Sequence, residues 1–180
     1  EPDLATKQRY TREKERIARY AASLVREDDV VFLDTGTTAL HMAEYLKDSK
    51  ALFVTSSIDF AGMLSAFERN VYVLGGALKP STVDIMGAEA LDALRHYNFT
   101  KAFLGTSGVS VSQGFTTPDP EAAALKFLAA SRAQSVYVLA DSSKFGRVTA
   151  ATILPLDRAQ VITDKPPDRK YLESTDVIAV

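Results

Sequence analysis

At 180 residues, with 46% hydrophobic and 24% charged content, the chain suits one globular domain with a substantial core. It holds no Cys, which excludes disulfides, thiolate metal sites and a Cys nucleophile, and its two histidines, His41 and His96, are too few and too separated for a metal centre. A formal charge of −2 gives no general pull towards nucleic acid, and nothing approaches the roughly 18 consecutive apolar residues of a membrane span, so a cytoplasmic protein without metal or cofactor is expected.

Residues 1–13 mix both signs of charge without apolar periodicity and read as a linker; residues 14–180 form the domain. From Lys14 the pattern changes: Ile17, Tyr20, Ala21, Leu24 and Val25 recur at helical spacing. Exposed Ile17, Tyr20 and Leu24 would suit an interface, and a homo-oligomer, dimer or tetramer, is expected on that ground.

The run Val30–Leu33 is fully apolar and breaks at Asp34 into a polar turn that opens a second helix, with Leu40, Ala43 and Leu46 or Tyr45 on its buried face. Asp34 supplies a negative acceptor at that junction. Gly36 permits close approach of a ligand, while Thr37 and Thr38 offer hydroxyls and helix N-terminal amides, a seat for a phosphate. A Thr N-cap behind a buried strand accounts for the same residues without any ligand.

The pattern recurs. Strand Ala51–Thr55 leads through Thr55-Ser56-Ser57 into an apolar helix, and strand Val71–Leu74 ends at Gly75-Gly76, which read equally as a tight turn or as amides open to a ligand. Gly87 opens a helix with Ala88, Leu91 and Leu94 inward, and strand Ala102–Leu104 ends at Gly105. Thr106–Pro118 reads as a loop too polar to form core. Asp119-Pro120-Glu121 starts a helix with Ala122, Leu125, Leu128 and Ala129 inward and Lys126 on another side. Strand Val136–Ala140 runs into Asp141–Gly146, and Val161–Asp164 and Val177–Val180 are two last strands.

Alternating strands and helices predict an α/β fold, a mostly parallel open sheet with helices on both faces. Parallel strands bring their carboxyl ends to one edge, where Asp34, Gly36, Thr37, Thr38, Gly75, Gly76, Gly105, Asp141 and Lys144 would surround a small polar ligand. Glu121 and Lys126 add an acid and a base behind the loop. The GxGxxG fingerprint and the P-loop are absent, which disfavours NAD and ATP.

The series KERIARYAASLV, DDVVFLDTGTT, VLGGALKPSTVDIMG, KAFLGTSGVSVSQGFTT, VLADSSKFGR and VITD resembles the C-terminal effector domain of DeoR-type transcriptional regulators, in the family's order and from about Lys14 to the end. The resemblance implies a fold of the ribose-5-phosphate isomerase type and a sensor of phosphorylated sugars. It implies effector binding at Asp34, Gly36, Thr37 and Thr38, with Gly75 and Gly76 as the family's Gly-Gly and Asp141, Ser143 and Lys144 as its Asp-x-Ser-Lys element. The chain departs from the family at Thr55-Ser56-Ser57, where many relatives have Thr-Asn-Ser, and at Ala122 after Glu121, where relatives often carry a second acid. The family's winged helix-turn-helix precedes this domain, so residues 1–13 are expected to connect to it and operator DNA to be contacted only through it.

Two readings follow: a ligand-sensing domain of a regulator of sugar metabolism, most simply a repressor, or a phosphosugar isomerase-type enzyme with Glu121 or Asp141 as general base. The Lys-Gly-Gly-Gly run of the isomerases is absent.

Overall fold

A computed structural model describes residues 10–180, so most of the expected linker lies outside the described residues. The first helix, α1 (Thr11–Ser23), starts before Lys14. There follow β1 (Val30–Leu33), α2 (Thr37–Tyr45), β2 (Leu52–Thr55), α3 (Ile58–Ala66), β3 (Val71–Val73), β4 (Ala77–Lys79), β5 (Asp84–Met86) and α4 (Ala88–Leu94). The second half comprises β6 (Phe99–Gly105), β7 (Gly108–Ser110), β8 (Gly114–Thr117), α5 (Pro120–Ser131), β9 (Ala133–Leu139), β10 (Ala151–Leu154), β11 (Gln160–Thr163), α6 (Arg169–Leu172) and β12 (Val177–Ala179).

Seven strands form one sheet in the order β12-β11-β9-β6-β1-β2-β3, with every pairing parallel, as the alternating pattern predicts. Successive side chains of a strand point to opposite faces, and here both faces are covered. Phe32, Val54, Ala102, Leu104, Val138 and Val161 pack with α4 and α5 on one side. Val31, Leu33, Phe53, Phe103, Leu139 and Ile162 pack with α1, α2 and α3 on the other. This is why VVFL is apolar throughout: each residue buries on one face or the other, at roughly 1.5–3 kcal/mol apiece.

The apolar stripe of α1 is spent inside the chain. Ile17, Ala18 and Ala21 are fully buried, and Tyr20 and Leu24 pack against the same core. The ground on which this helix was expected to form an interface between copies is therefore removed.

The segment Thr106–Pro118 is a second departure. It is not a surface loop: β7 and β8 join β10 in a three-stranded antiparallel sheet, with Val109, Phe115 and Thr116 fully buried. Its glycines serve close packing, since a Cβ on Gly108 would overlap the Arg147 carbonyl and one on Gly114, at φ +72°, the Leu154 carbonyl. The Thr106 and Thr116 hydroxyls are satisfied internally. Thr106 donates to the Gly108 carbonyl at 2.8 Å, and Thr116 Oγ1 accepts from the Thr149 amide at 2.9 Å. The hairpin β4–β5, with no strand pattern in its sequence, is a third element that only the structure reveals.

Candidate functional site

From β1 the chain steps outward to β2 and β3, then returns to the other side of β1 and continues through β6, β9, β11 and β12. The direction of winding therefore reverses between β1 and β6. In an open parallel sheet the crevice for a ligand lies outside the carboxyl ends of the strands at such a reversal. The residues at those two ends are Asp34 and Gly105.

Their geometry is tight. The Gly105 amide donates to Asp34 Oδ2 at 2.8 Å, and a Cβ on Gly105 would lie 3.0 Å from the Thr35 carbonyl, so glycine lets the two strand ends approach without displacing that carbonyl. The same Asp34 oxygen receives the ammonium of Lys126 from α5, which also faces the Gly105 carbonyl at 3.4 Å. Lys126 thus lies in the crevice, buried, and not on a side apart from the apolar face as helical spacing suggested. The ion pair with Asp34 offsets its desolvation, a compensation that periodicity does not register.

Asp84 of β5, which sequence reasoning passed over, joins this pair. The hairpin hangs across the strand ends: the Ile85 amide donates to the Ser56 carbonyl at 2.8 Å, and Ser57 and Asp84 form an isolated bridge. The Thr35 hydroxyl donates to Asp84 Oδ2 at 3.0 Å, whereas Asp84 Oδ1 is buried and accepts no hydrogen bond from the described residues. Burial, then repulsion from Asp34, pushes the Asp84 carboxyl up to about 6 against the opposing effects of Thr35, Lys126 and Ser56. Two carboxylates and one ammonium thus share a poorly hydrated space. The only sequence signal for Asp84 was an acid at the head of Ile-Met before a helix-opening Gly.

Beside this cluster stands the N-terminus of α2. Gly36 is its N-cap at φ +130°, with no side-chain cap and nothing within 4 Å of where a Cβ would lie. Two of the helices that start at the same edge are capped by a side chain, Ser57 accepting the Phe60 amide and Asp119 the Glu121 amide, whereas α4 behind Gly87, like α2, is not. Exposed Thr37 and half-buried Thr38 thus open a helix whose first-turn amides have no side-chain acceptor.

The remaining predicted residues divide. Gly75 faces open space, while a Cβ on Gly76, at φ +145°, would lie 2.9 Å from the Met86 carbonyl and 3.1 Å from Ala90 Cβ, so this glycine serves the hairpin. Glu121 is exposed in the first turn of α5, where Asp119 binds Lys79 and so ties the hairpin to that helix. That contact first of all holds the Asp119 carboxyl below its usual range. Asp141 caps the turn Ser142–Lys144, accepting the Ser143 amide at 3.0 Å and the Ser143 hydroxyl. Its charge, with that of Lys144, acts on Lys14 of α1, a buried lysine whose pKa burial lowers, Asp141 raises and Lys144 lowers further. Asp141 and Lys144 thus belong with α1 and with Asp164, which accepts the Ser142 amide at 2.6 Å. Asp34, Gly105 and Lys126 form the other group. Among the described residues no cluster of three or more metal-ligating side chains exists, and no helix is long and apolar enough to cross a membrane.

A family model described as the DeoR C-terminal sensor domain matches residues 9–165. The chain belongs to the DeoR C-terminal sensor domain family. This DeoR-type sensor domain is 42% identical over 165 residues to the uncharacterized HTH-type transcriptional regulator FruR of Bacillus subtilis (strain 168), covering 91% of this chain and 66% of that one. It is 32% identical over 166 residues to the HTH-type transcriptional repressor GlcR of the same organism, covering 91% and 64%. It is also 32% identical over 166 residues to the lactose phosphotransferase system repressor of Streptococcus mutans, covering 90% and 66%. The chain therefore spans about two thirds of the length of these relatives.

Among solved structures, ribose 5-phosphate isomerase A of Methanocaldococcus jannaschii superposes with a TM-score of 0.54 at 19% identity, over 73% of this chain and 53% of that one. The eIF2B delta subunit of Chaetomium thermophilum gives a TM-score of 0.57 at 17% identity, over 81% and 53%. At such identities the likeness is one of fold, and it agrees with the isomerase-type sheet expected from the sequence.

Proposed function

We propose that this DeoR-type domain senses a phosphorylated sugar in the crevice between β1 and β6, as part of a cytoplasmic regulator of sugar metabolism. The observation that carries the reading is the buried Asp34–Lys126 pair at the winding reversal, directly beside the uncapped N-terminus of α2. The phosphate sits on the amides and hydroxyls of Gly36, Thr37 and Thr38, where the helix dipole favours an anion. Gly75 leaves room at the rim, Gly105 lets the strand ends close beneath the ligand, and the Lys126 ammonium with Asp34 presents charge to its polar groups. Asp141, Lys144 and Glu121 lie on the outer margin of the same edge. Relatives named as repressors of a lactose phosphotransferase system and as GlcR support a repressor that acts on sugar metabolism.

Binding shifts a population of arrangements of the regulator, and a preceding winged helix-turn-helix, joined through residues 1–13, reports that shift to operator DNA. A homo-oligomer suits that mode of action. The domain turns over no substrate in this reading. Glu121 is exposed and the Asp141 carboxylate is engaged by Ser143, so neither candidate base is poised in the crevice.

Calorimetric titration of the folded chain with hexose, pentose and triose phosphates tests the proposal. Saturable heat with at least one is expected, and none with any of them overturns it. A coupled isomerase assay on the ligand so found is expected to show no turnover.

A further inference from the structure

Asp84 has an exposure of 5%, yet one of its carboxylate oxygens accepts nothing from the described residues. Ser56 Oγ, close enough to lower its pKa, is likewise buried without a hydrogen-bond partner among the described residues. A buried acceptor left without a donor is unfavourable and is found where something else supplies the donor. The other Asp84 oxygen takes the hydroxyl of Thr35, the residue before Gly36. The carboxylate is therefore held by the residue that directly precedes the proposed phosphate seat.

We propose that Asp84 determines specificity: its carboxylate accepts a hydroxyl from the carbon skeleton of the phosphorylated sugar and rejects ligands that carry a second anion there. The inference rests on the sugar-phosphate reading above. Two carboxylates, Asp34 and Asp84, face a single ammonium, Lys126, so this end of the crevice keeps a net negative charge and favours a neutral polyol. Sugar monophosphates fit that field; sugar bisphosphates and phosphorylated sugar acids do not.

The element that admits the hydroxyl is the β4–β5 hairpin. It is two short strands, with Ala77 and Leu78 exposed, tied down by the Ser56–Ile85 hydrogen bond and the Lys79–Asp119 pair. The groups facing Asp84 are Asp34 after β1, Thr35, Ser56 after β2 and Lys126 of α5; Lys79, opposite it in the hairpin register, is held by Asp119. Protonation of Asp84 removes both its charge and its preference for a donor, so discrimination weakens in acid.

The test is calorimetric titration of the 180-residue chain and of Asp84→Asn. The probes are methyl phosphate, C4–C6 aldose and ketose monophosphates, the matching bisphosphates and phosphorylated sugar acids, at pH 7.5 and pH 5. The chain is expected to bind at least one monophosphate more tightly than methyl phosphate, and more tightly than its bisphosphate or acid counterpart. In Asp84→Asn the ratio of the affinity for that monophosphate to that for methyl phosphate falls ~10-fold or more. Asp84→Ser repeats the measurement should the Asn variant fold poorly. In the unaltered chain, the ratio of monophosphate to methyl phosphate affinity falls between pH 7.5 and pH 5. A ratio that is unchanged by the substitutions, or by pH, overturns the role of Asp84 and leaves the sensor reading standing. A folded chain that binds no sugar phosphate more tightly than methyl phosphate overturns the sensor reading, and the role of Asp84 with it.

Discussion

Lys126 and Asp34 lie 92 residues apart in the chain and form an ion pair whose side chains are only 8% and 2% exposed. Removing one partner of such a pair leaves a buried charge with nothing to offset it. Lys126→Met is accordingly expected to destabilise the fold by about 3–5 kcal/mol, and the double variant Asp34→Asn, Lys126→Met to recover most of that loss. Urea denaturation of the single and double variants measures both. A Lys126→Met protein as stable as the parent would place the ammonium in water.

Asp84 titrates near 6, above the ordinary aspartate value of 3.8. A carboxyl whose folded pKa is raised binds its proton more tightly in the folded state, so its contribution to stability increases as pH falls from above 6 towards 4. Above pH 6 the charged form opposes folding. One pKa unit corresponds to about 1.4 kcal/mol, so the stability gained by Asp84→Asn is expected to be ~2 kcal/mol larger at pH 8 than at pH 4, where the unfolded aspartate is already about half ionised. Paired denaturation curves at the two pH values test this, and a difference that does not change with pH would sink it.

Gly36 and Gly76 both have positive φ but differ in surroundings: open space around Gly36, the Met86 carbonyl 2.9 Å from a Cβ at Gly76. Gly36→Ala is expected to lose about 1–3 kcal/mol from backbone strain alone, and Gly76→Ala more, because a steric conflict is added. Thermal unfolding ranks them. Gly36→Ala is also expected to weaken methyl phosphate binding, since the added methyl group narrows the approach to the α2 amides.

At the opposite, amino edge of the sheet, Asp29 accepts from Lys101 Nζ at 2.7 Å, from the Thr100 hydroxyl at 2.7 Å and from the Arg26 amide at 2.7 Å. Burial pushes its carboxyl up, and these contacts hold it below the usual range, so the stability it contributes is lost as pH falls through the folded pKa. Lys101→Met is expected to cost about 1–3 kcal/mol in stability while leaving every ligand affinity unchanged. Altered sugar-phosphate binding in that variant, measured by calorimetry, would contradict the assignment of the site to the carboxyl edge.

The parts of the site legible in the sequence were those at the ends of apolar runs. Val30–Leu33 followed by Asp34-Thr35-Gly36 marked a strand, a turn and a helix start, and the apolar run to Leu104 put Gly105 at a strand end. Lys126 was misplaced because helical spacing reads a charged residue as solvated. Asp84 was missed because β5 is three residues long and its partner β4 alternates too briefly to show. Thr106–Pro118 looked like a loop because its threonines and serines are polar as residues, although the Thr106, Ser110 and Thr116 hydroxyls are hydrogen-bonded and β7 and β8 are buried.

Local order alone determined that this chain would form a parallel α/β sheet with polar junctions at one edge, because strand burial and helix entry leave period, cap and glycine signals within a few residues of each other. Only the tertiary structure decided which junctions meet. The reversal of winding between β1 and β6 joins Asp34 to Gly105 and Lys126 and sends Asp141 and Lys144 towards Lys14. A buried carboxylate on a two-stranded hairpin is stable only beside partners that the chain brings together across tens of residues, and no local pattern records them.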